Sequence, residues 1–477
     1  MKRLVVVSNR VPAAKSGAGA GGLAVGVMSA LKTSGGIWFG WNGRIEESNK
    51  PTEITHRGSI TFATIGLTKP QYDQYYKGYS NATLWPLFHS RLSFVHYDRQ
   101  EEQGYREVNE LFADRLQPLL EPDDILWIHD YHLIPLASIL RSRGVTQPIG
   151  YFLHIPFPPY DILRALPNHI DLLKQLCDFD LLGFQTSNDV HCFQENIERA
   201  LNGEVLNNSL IRTNGRELRI GAFPIGIDAH EVATTAAQMR QSPEVLRLQE
   251  SLSGRAMILG VDRLDYTKGI EERFQAYETY LRRHLTDSKP EVTYLQIAPP
   301  SRDDVIDYQE LTRTLELSVG HINGQFAKYD WVPLRFLHRA FNRKLILGFC
   351  SVARVGLVTP LRDGMNLVAK EFIAAQAPED PGVLILSRLA GAAEQLEEAL
   401  LVHPYDTDGI ADALDQAIRM SLSERKERWY SLMSKIKRHD INDWRERFLT
   451  ELDAAPLQKT LPVTANVEAF AAREPHY

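Results

Sequence analysis

Short apolar runs alternate along the chain with longer stretches in which apolar residues recur at helical spacing. The runs are rich in Val, Ile and Leu, which is typical of strands buried on both faces of a parallel sheet. Strands that alternate with helices predict an α/β protein with doubly wound parallel sheets. The clearest predicted strands are residues 4–8, 125–129, 149–154, 181–185, 256–261, 292–298, 355–359 and 383–387, and the clearest helices are residues 23–33, 189–201, 270–284 and 410–420.

The chain of 477 residues is too long for one simple core, so more than one domain is expected. A polar helical stretch at 231–241 precedes the apolar run 256–261, which has the pattern of the first strand of a new sheet. We therefore predict two doubly wound Rossmann-like domains facing each other across a cleft, residues 1–235 and 236–440, with a closing helix and tail at 441–477. Ligands bind beyond the carboxyl ends of such strands, so a site in the cleft would use both halves.

Composition excludes several classes of protein. A hydrophobic content of 44% and a charged content of 24% are ordinary for a soluble globular chain. The formal net charge of −7 argues against a nucleic-acid partner, which favours a basic surface. No apolar stretch approaches a membrane span, and the run at 4–7 is too short for a signal peptide. Three widely spaced cysteines make no disulfide framework. We therefore expect a cytoplasmic protein with neither membrane nor nucleic-acid partners.

A strand, turn and helix near the end of the chain suggest a ligand site. The apolar run 355–359 is followed by a turn containing Asp363 and Gly364, and residues 365–376 have a helical pattern. Free amides at a helix start attract anions such as a diphosphate. Glu371 lies about 12 Å further along the helix, so the two carboxylates suit separate hydroxyl-bearing parts of one long ligand, such as a sugar nucleotide. An ordinary strand-turn-helix with a solvated Glu371 is the alternative.

The glycines near the amino terminus predict a flexible loop. Gly17, Gly19 and Gly22 match G-x-G-x-x-G, but they begin nine residues after the strand ends, so a dinucleotide-binding fingerprint is disfavoured. Gly21 and Gly22 instead favour a loop whose backbone closes over a phosphorylated ligand. Arg10, at the carboxyl end of the first strand, could hold a phosphate or be a surface charge.

Three cations follow strands of the second half. Arg263 and Lys268 come after the run 256–261, where they could neutralise a departing diphosphate. Arg302 follows the run 292–298 and is a second phosphate candidate. Each cation could also be an ordinary solvated side chain.

Histidines and acidic residues follow two strands of the first half. Asp130 comes after residues 125–129, and His154 ends the run 149–154. His129 and His132 flank Asp130, but no paired ligand motif accompanies them, so hydrogen-bonded histidines are favoured over a metal site. Asp178 and Asp180 form a D-x-D pattern of a kind that can bind a metal ion, but they precede the strand 181–185 and therefore lie at the opposite edge of the sheet.

An aromatic-rich segment with poor periodicity lies at 71–89. Tyr76 and Trp85 in this segment could line a sugar pocket, where flat apolar faces and phenol hydroxyls are useful. Core packing is the alternative for Trp85.

Together these segments resemble the trehalose-6-phosphate synthase family of retaining glycosyltransferases over nearly the whole chain. The matching stretches are residues 4–10, 21–26, 84–86, 127–132, 152–158, 183–186, 261–269 and 360–371. The resemblance implies the GT-B fold and transfer of glucose from UDP-glucose to glucose 6-phosphate, with neither metal nor cofactor. We also predict a homo-oligomer, either a dimer or a tetramer.

The resemblance also implies roles for individual residues. It assigns to the acceptor and its phosphate Arg10, Tyr76, Trp85, Asp130, Ile155 and Arg302. It assigns to the donor Gly21, Gly22, Arg263, Lys268, Phe341, Asp363, Gly364, Met365, Asn366, Leu367, Val368 and Glu371. The implied catalytic group is Asp130, His154, Arg263, Lys268 and Asp363.

The same resemblance points to attack on the same face as the leaving group, with the leaving phosphate taking the proton of the acceptor hydroxyl. A glucosylglycerol-phosphate synthase or a pseudo-glycosyltransferase acting on cyclitols would share the fold. A sugar-phosphate sensor without turnover is the non-enzymatic alternative. The donor base (UDP, GDP or ADP) stays open.

Overall fold

The computed structural model describes residues 2–12, 22–213, 215–284, 292–302 and 305–455. Within these ranges the strands form a ten-stranded and a six-stranded sheet. The strands of the first sheet are β1 (Leu4–Arg10), β2 (Gly36–Glu46), β3 (Glu53–Arg57), β4 (Ile60–Thr68), β5 (Ile125–His129), β6 (Ile149–Phe152), β7 (Leu181–Phe184), β8 (Glu204–Asn207), β9 (Leu210–Thr213) and β10 (Arg216–Ala222). Those of the second are β11 (Ala256–Val261), β12 (Val292–Ile297), β13 (Leu334–Leu337), β14 (Val355–Val358), β15 (Val383–Ser387) and β16 (Leu400–Val402).

Both sheets have the strand order of doubly wound folds. The first runs β3-β4-β2-β1-β5-β6-β7-β10-β9-β8, and its inner strands from β4 to β10 pair in parallel. The second runs β13-β12-β11-β14-β15-β16, with every pair parallel. The prediction of two Rossmann-like sheets is therefore confirmed. Each predicted strand is present, although β6 ends at Phe152, two residues before the predicted end.

The α-helices pack on the sheet faces. They are α1 (Gly22–Ser34), α2 (Lys69–Gln71), α3 (Trp85–Phe88), α4 (Arg99–Leu116), α5 (Leu136–Ser142), α6 (Tyr160–Leu163), α7 (His169–Leu176), α8 (Ser187–Leu201), α9 (Ala229–Met239), α10 (Pro243–Leu252), α11 (Ile270–His284), α12 (Ile306–Phe326), α13 (Arg343–Cys350), α14 (Leu367–Ala375), α15 (Thr407–Arg419), α16 (Leu422–Arg438) and α17 (Ile441–Asp453). A π-helix spans Tyr72–Leu84. In the described part of the chain, helices long and apolar enough for a membrane span are absent.

Helix α17 follows the second sheet in sequence but packs on the first. Phe448 of α17 lies 5.0 Å from the ring of Trp127 in β5, centroid to centroid. Gly183 in β7 leaves room for it, since a Cβ atom there would lie 2.6 Å from the Phe448 ring. The helix occupies the predicted closing segment, while the boundaries at 235 and 440 stay a prediction.

The chain therefore crosses between the two sheets twice, and the crossings run side by side. The amide of Ile441 donates to the carbonyl of Ile227 at 3.3 Å. A Cβ atom on Gly226 would lie 2.3 Å from the backbone of Asp440. Lys370 of α14 is buried there and donates to the carbonyl of Ile225 at 2.7 Å.

Candidate functional site

The loops that follow the strands of the two sheets meet, and their closest approach is between backbones. A Cβ atom added to Gly364, after β14, would lie 2.1 Å from the carbonyl oxygen of His154, after β6. Side chains cannot approach that closely, so this contact requires glycine at residue 364. The two walls of the predicted cleft touch at these residues.

A buried ion pair joins two of the predicted donor residues. Lys268 Nζ lies 2.6 Å from Asp363 Oδ2. Lys268 ends a 3₁₀ turn, Tyr266–Lys268, after β11, and Asp363 lies in the turn after β14. Burial opposes ionisation of Asp363, but the charge and hydrogen bond of Lys268, together with His89 and Asn366, outweigh it, so the pKa of Asp363 is lowered. An ionised carboxylate and an ammonium thus lie side by side, close to the backbone of Gly364.

The helix after this turn begins at Leu367 rather than at the predicted Met365. Asn366 precedes it with a φ of 76°, in the left-handed region. Its side-chain oxygen accepts from the amide of Ala369 at 3.3 Å, and its amide group donates to Asp363 at 3.1 Å. This cap delays the helix, so Met365 and Asn366 belong to the turn, whereas Leu367 and Val368 form the first helical turn, where amides attract anions.

Glu371 is held within the protein rather than solvated. Its Oε1 accepts from Arg343 Nε at 2.8 Å, and Arg343 also bonds Glu231 of α9 at 2.9 Å. Burial raises the pKa of Glu371, and Arg343 partly offsets the shift. Phe341, just before α13, packs edge-on against Phe349 with centroids 6.1 Å apart. The predicted nucleotide residues therefore lie around α13 and α14.

Trp85 lies where side chains from both sheets meet. The guanidinium of Arg302 stacks over its ring at 4.1 Å, and that of Arg263 lies 5.6 Å from the ring centroid. Arg302 Nη1 is 3.2 Å from Asp265 Oδ2, and its Nη2 donates to the hydroxyl of Tyr131 at 3.4 Å. Two cations of the second sheet thus face an aromatic ring of the first.

A second aromatic group surrounds the other predicted acceptor residues. Arg10 lies 5.7 Å from the ring centroid of Trp41. Trp41 packs on Tyr76 at 5.6 Å, and Tyr76 stacks on His132 with an interplanar angle of 11°. Tyr76 is carried by the π-helix Tyr72–Leu84, an element that is often found at functional sites.

Asp130 has an unusual backbone and an unusual pKa. Its φ of 75° is rare for a residue with a side chain, and its Oδ1 accepts from the amide of His154 at 3.2 Å. Burial raises its pKa to about 7, although bonds from the His154 and Tyr131 amides and the charges of Arg263 and Arg302 oppose the shift. Because its pKa is near neutrality, this carboxyl can change charge under physiological conditions.

His154 forms a histidine pair. Its Nε2 lies 3.1 Å from Nδ1 of His129. Burial lowers the pKa of His154 to about 3 and lowers that of His129 well below its usual value. Both rings are therefore neutral near pH 7. Ile155, the next residue, is buried.

The glycine loop can be placed only in part. Gly21 lies outside the described residues, whereas Gly22 is the first residue of α1. The remaining predicted site residues are all described. Among the described residues, groups of three His, Cys, Asp or Glu side chains placed to hold a metal ion are absent.

The family model for glycosyltransferase family 20 matches residues 2–454. The chain belongs to this family. It is 49% identical to the trehalose-6-phosphate synthase of Enterobacter sp. (strain 638), over 95% of each chain. A solved α,α-trehalose-phosphate synthase (UDP-forming) from Burkholderia xenovorans in complex with glucose-6-phosphate is 47% identical, with a TM-score of 0.91 over 94% of this chain and 100% of that one. A solved E. coli structure bound with UDP-2-fluoro glucose is 48% identical, with a TM-score of 0.91 over 94% and 98% of the two chains.

These similarities confirm the GT-B fold and the family predicted from the sequence. The candidate site also contains residues that the sequence analysis did not select. Asp265 and Tyr308 contact Arg302, His129 contacts His154, and Arg343 contacts Glu371. Asp265 lies within the matching stretch 261–269, so its position in the sequence could have indicated that it belongs to the site. Tyr308 and Arg343 lie outside the matching stretches, and only the fold brings them to the site.

Proposed function

We propose that the protein is a retaining glucosyltransferase that moves glucose from UDP-glucose to glucose 6-phosphate, giving α,α-trehalose 6-phosphate and UDP. The observation that carries the proposal is the contact between Gly364 and His154 beside the Lys268–Asp363 pair. It brings His154, a predicted catalytic residue that follows a strand of the first sheet, against Gly364, a predicted donor residue that follows a strand of the second. The substrates of the similar solved proteins support the same assignment.

Breaking the bond between C1 of glucose and the diphosphate oxygen builds positive charge on the sugar and negative charge on the leaving group. Lys268 and Arg263 are the cations proposed to stabilise the diphosphate. The bound donor would compete with Asp363 for the ammonium of Lys268, freeing a carboxylate oxygen for a hydroxyl of the donor glucose. Glu371, oriented by Arg343, would bind the ribose.

The acceptor proposal rests on the stack of Arg302 over Trp85 and on Asp130. Arg302 and Arg10 would hold the phosphate of glucose 6-phosphate, and Asp130 would accept hydrogen bonds from its hydroxyls. Trp85 and Tyr76 would line the sugar pocket.

Retention is proposed to occur by attack on the same face. The 1-hydroxyl oxygen of the acceptor bonds to C1 of the donor glucose, and its proton passes to the leaving phosphate oxygen. Asp363 Oδ2 accepts from Lys268 and Asn366, and the proposal assigns this carboxylate to a hydroxyl of the donor glucose rather than to nucleophilic attack. The resemblance also implies independence of metal, so excess chelator should leave turnover unchanged.

The deciding experiment is a matrix of UDP-, GDP- and ADP-glucose against glucose 6-phosphate and glycerol 3-phosphate, scored by nucleotide release. We expect the highest turnover with UDP-glucose and glucose 6-phosphate, and proton NMR of the product should show two anomeric protons, both with the small coupling of the α configuration. Higher turnover with glycerol 3-phosphate than with glucose 6-phosphate would show that the proposed acceptor is wrong and would favour a glucosylglycerol-phosphate synthase. Binding of both substrates without nucleotide release would favour the alternative of a sugar-phosphate sensor without turnover.

Two further properties stay predictions. We propose a homo-oligomer, either dimer or tetramer, which light scattering would separate from a 54.1 kDa monomer. We also propose a cytoplasmic location. It is supported by Cys177 and Cys350, which are free thiols buried in the fold and do not require an oxidising compartment.

A further inference from the structure

Asp265 is a fully buried carboxylate between the two predicted phosphate-binding groups. It follows β11, between Arg263 and Lys268, and its exposure is 0%. The cations of Arg302, Lys268 and Arg263 overcome the effect of burial and lower its pKa, so it is ionised at neutral pH. A buried carboxylate is stable only when its oxygens are bonded, and the two oxygens of Asp265 bond in different directions.

One oxygen holds the turn that carries Lys268. Oδ1 accepts from the amide and the hydroxyl of Thr267, both at 2.9 Å. The carbonyl oxygen of Asp265 accepts from the amide of Lys268 at 3.0 Å. These bonds fix the 3₁₀ turn from which the ammonium of Lys268 reaches Asp363, on the donor side.

The other oxygen holds Arg302. Oδ2 lies 3.2 Å from Arg302 Nη1 and accepts from the hydroxyl of Tyr308 at 3.1 Å. The same Tyr308 hydroxyl accepts from Arg302. Arg302 has a φ of 53°, which an arginine rarely adopts, so its place over Trp85 depends on such partners.

We propose that Asp265 is a positioning residue that sets the donor-diphosphate lysine and the acceptor-phosphate arginine relative to each other through its two oxygens. This inference rests on the proposed function, because it takes the ligands of Lys268 and Arg302 to be a nucleoside diphosphate and a sugar phosphate. Its specific consequence is that one carboxylate controls affinity for both.

Four variants separate this role from general stability. Asp265→Ala removes both oxygens. Tyr308→Phe removes a partner only on the Arg302 side, and Thr267→Val removes one hydroxyl only on the Lys268 side. Asp180→Ala is the matched control, since Asp180 forms a buried pair with Arg141 at 2.6 Å at the opposite edge of the first sheet.

Titration calorimetry of each variant, with UDP alone and with glucose 6-phosphate alone, reads the two sides independently. Asp265→Ala should weaken both ligands by about tenfold or more, because it removes the charged partner of Arg302 and the bonds that fix the turn carrying Lys268. Tyr308→Phe should weaken only glucose 6-phosphate, by about threefold to fivefold. Thr267→Val should weaken only UDP to a similar extent. Asp180→Ala should lower the melting temperature and leave both affinities unchanged.

The inference is overturned if folded Asp265→Ala changes one affinity or neither. If Asp265→Ala does not fold, the inference is overturned when Tyr308→Phe and Thr267→Val fail to separate the two ligands. A wild-type protein that binds both ligands but releases no UDP from the substrate pair refutes the proposed function and leaves the binding comparison intact.

Discussion

The two walls of the cleft are built from different interactions. The wall of the second sheet, here called the donor wall (Lys268, Asp363, Arg343 and Glu371), holds its charges in pairs at 2.6 and 2.8 Å. The wall of the first sheet, here called the acceptor wall (Trp41, Tyr76, Trp85 and His132), consists of rings in tilted or stacked contacts. One wall is therefore built mainly from paired charges, and the other mainly from aromatic rings.

This difference between the walls matches two separate requirements of the proposed reaction, namely stabilisation of charge on the leaving group and selection of the acceptor sugar. A diphosphate that gains charge needs cations already in place in a buried site. A neutral sugar ring needs a surface of fixed shape, which rings with few rotatable bonds provide. The donor wall is thus suited to stabilising charge, and the acceptor wall to selecting shape.

Replacing Arg263 by Ala should give the largest effect, because it removes a proposed diphosphate cation. Arg263 follows β11 and lies over Trp85. We expect kcat to fall by about 10²-fold or more, the effect of losing one transition-state charge contact. Steady-state UDP release measures it. Arg354→Ala is the control, since Arg354 pairs with Asp380 at 3.1 Å at the start of β14. Turnover like that of the wild type in Arg263→Ala would remove Arg263 from the donor site.

Replacing Gly364 by Ala tests whether the two walls must touch. The new Cβ would lie 2.1 Å from the His154 carbonyl oxygen, so the walls must separate. Because small misplacements of reacting groups are costly, kcat/KM should fall by about 10²-fold. Gly320→Ala in α12 is the matched control, as no atom lies within 4 Å of its added Cβ. Equal activity of the two variants would contradict a closed site.

The charge of Asp130 should make the acceptor side depend on pH. Its pKa is raised to about 7, so the carboxyl is mostly neutral at pH 6 and mostly ionised at pH 8. Only the ionised form accepts hydrogen bonds at both oxygens. Affinity for glucose 6-phosphate should therefore rise by about tenfold from pH 6 to pH 8. Calorimetry on Asp130→Asn, which retains the titration of the sugar phosphate, should show a weaker dependence. An identical profile in the variant would assign the effect to the phosphate.

Replacing Trp41 by Leu tests the acceptor wall, and we expect this variant to have the smallest effect. Trp41 lies beside both Arg10 and Tyr76. Loss of its ring should raise the KM for glucose 6-phosphate by about fivefold, the scale of one cation–π contact. The KM for UDP-glucose in the same variant is the internal control and should not change. Equal changes in both values would argue that the walls do not act separately.

The sequence predicted the donor wall better than the acceptor wall. Lys268 and Asp363 follow strands that are short, fully buried apolar runs, and the topology of a parallel sheet then brings them to one edge. The pairing of Arg343 with Glu231 joins residues 112 positions apart, and no local pattern carries that information.

The acceptor wall was harder to predict because its main element is not an α-helix. In the π-helix Tyr72–Leu84 the hydrogen bonds connect i to i+5, and four consecutive residues, 78–81, are buried, so the buried positions do not form a single α-helical stripe. The segment therefore showed aromatic composition without periodicity. Tyr76 and Trp85 could be selected by residue type. The stacking of Tyr76 on His132 and the position of Trp85 under Arg302 could not be predicted.

The paired crossings at Ile227 and Ile441 have a mechanical consequence. Two adjacent backbone segments, bonded to each other and packed at Gly226 without room for a side chain, resist torsion more than a single connector does. We expect the two lobes to move by hinge rotation about a single axis that runs through the paired crossings, with little twist of one lobe relative to the other. Residual dipolar couplings measured with and without UDP would show rotation about that axis, and a large twisting component would contradict it. The segment that leads into α17 is therefore expected to act as the second connection about which the two lobes open.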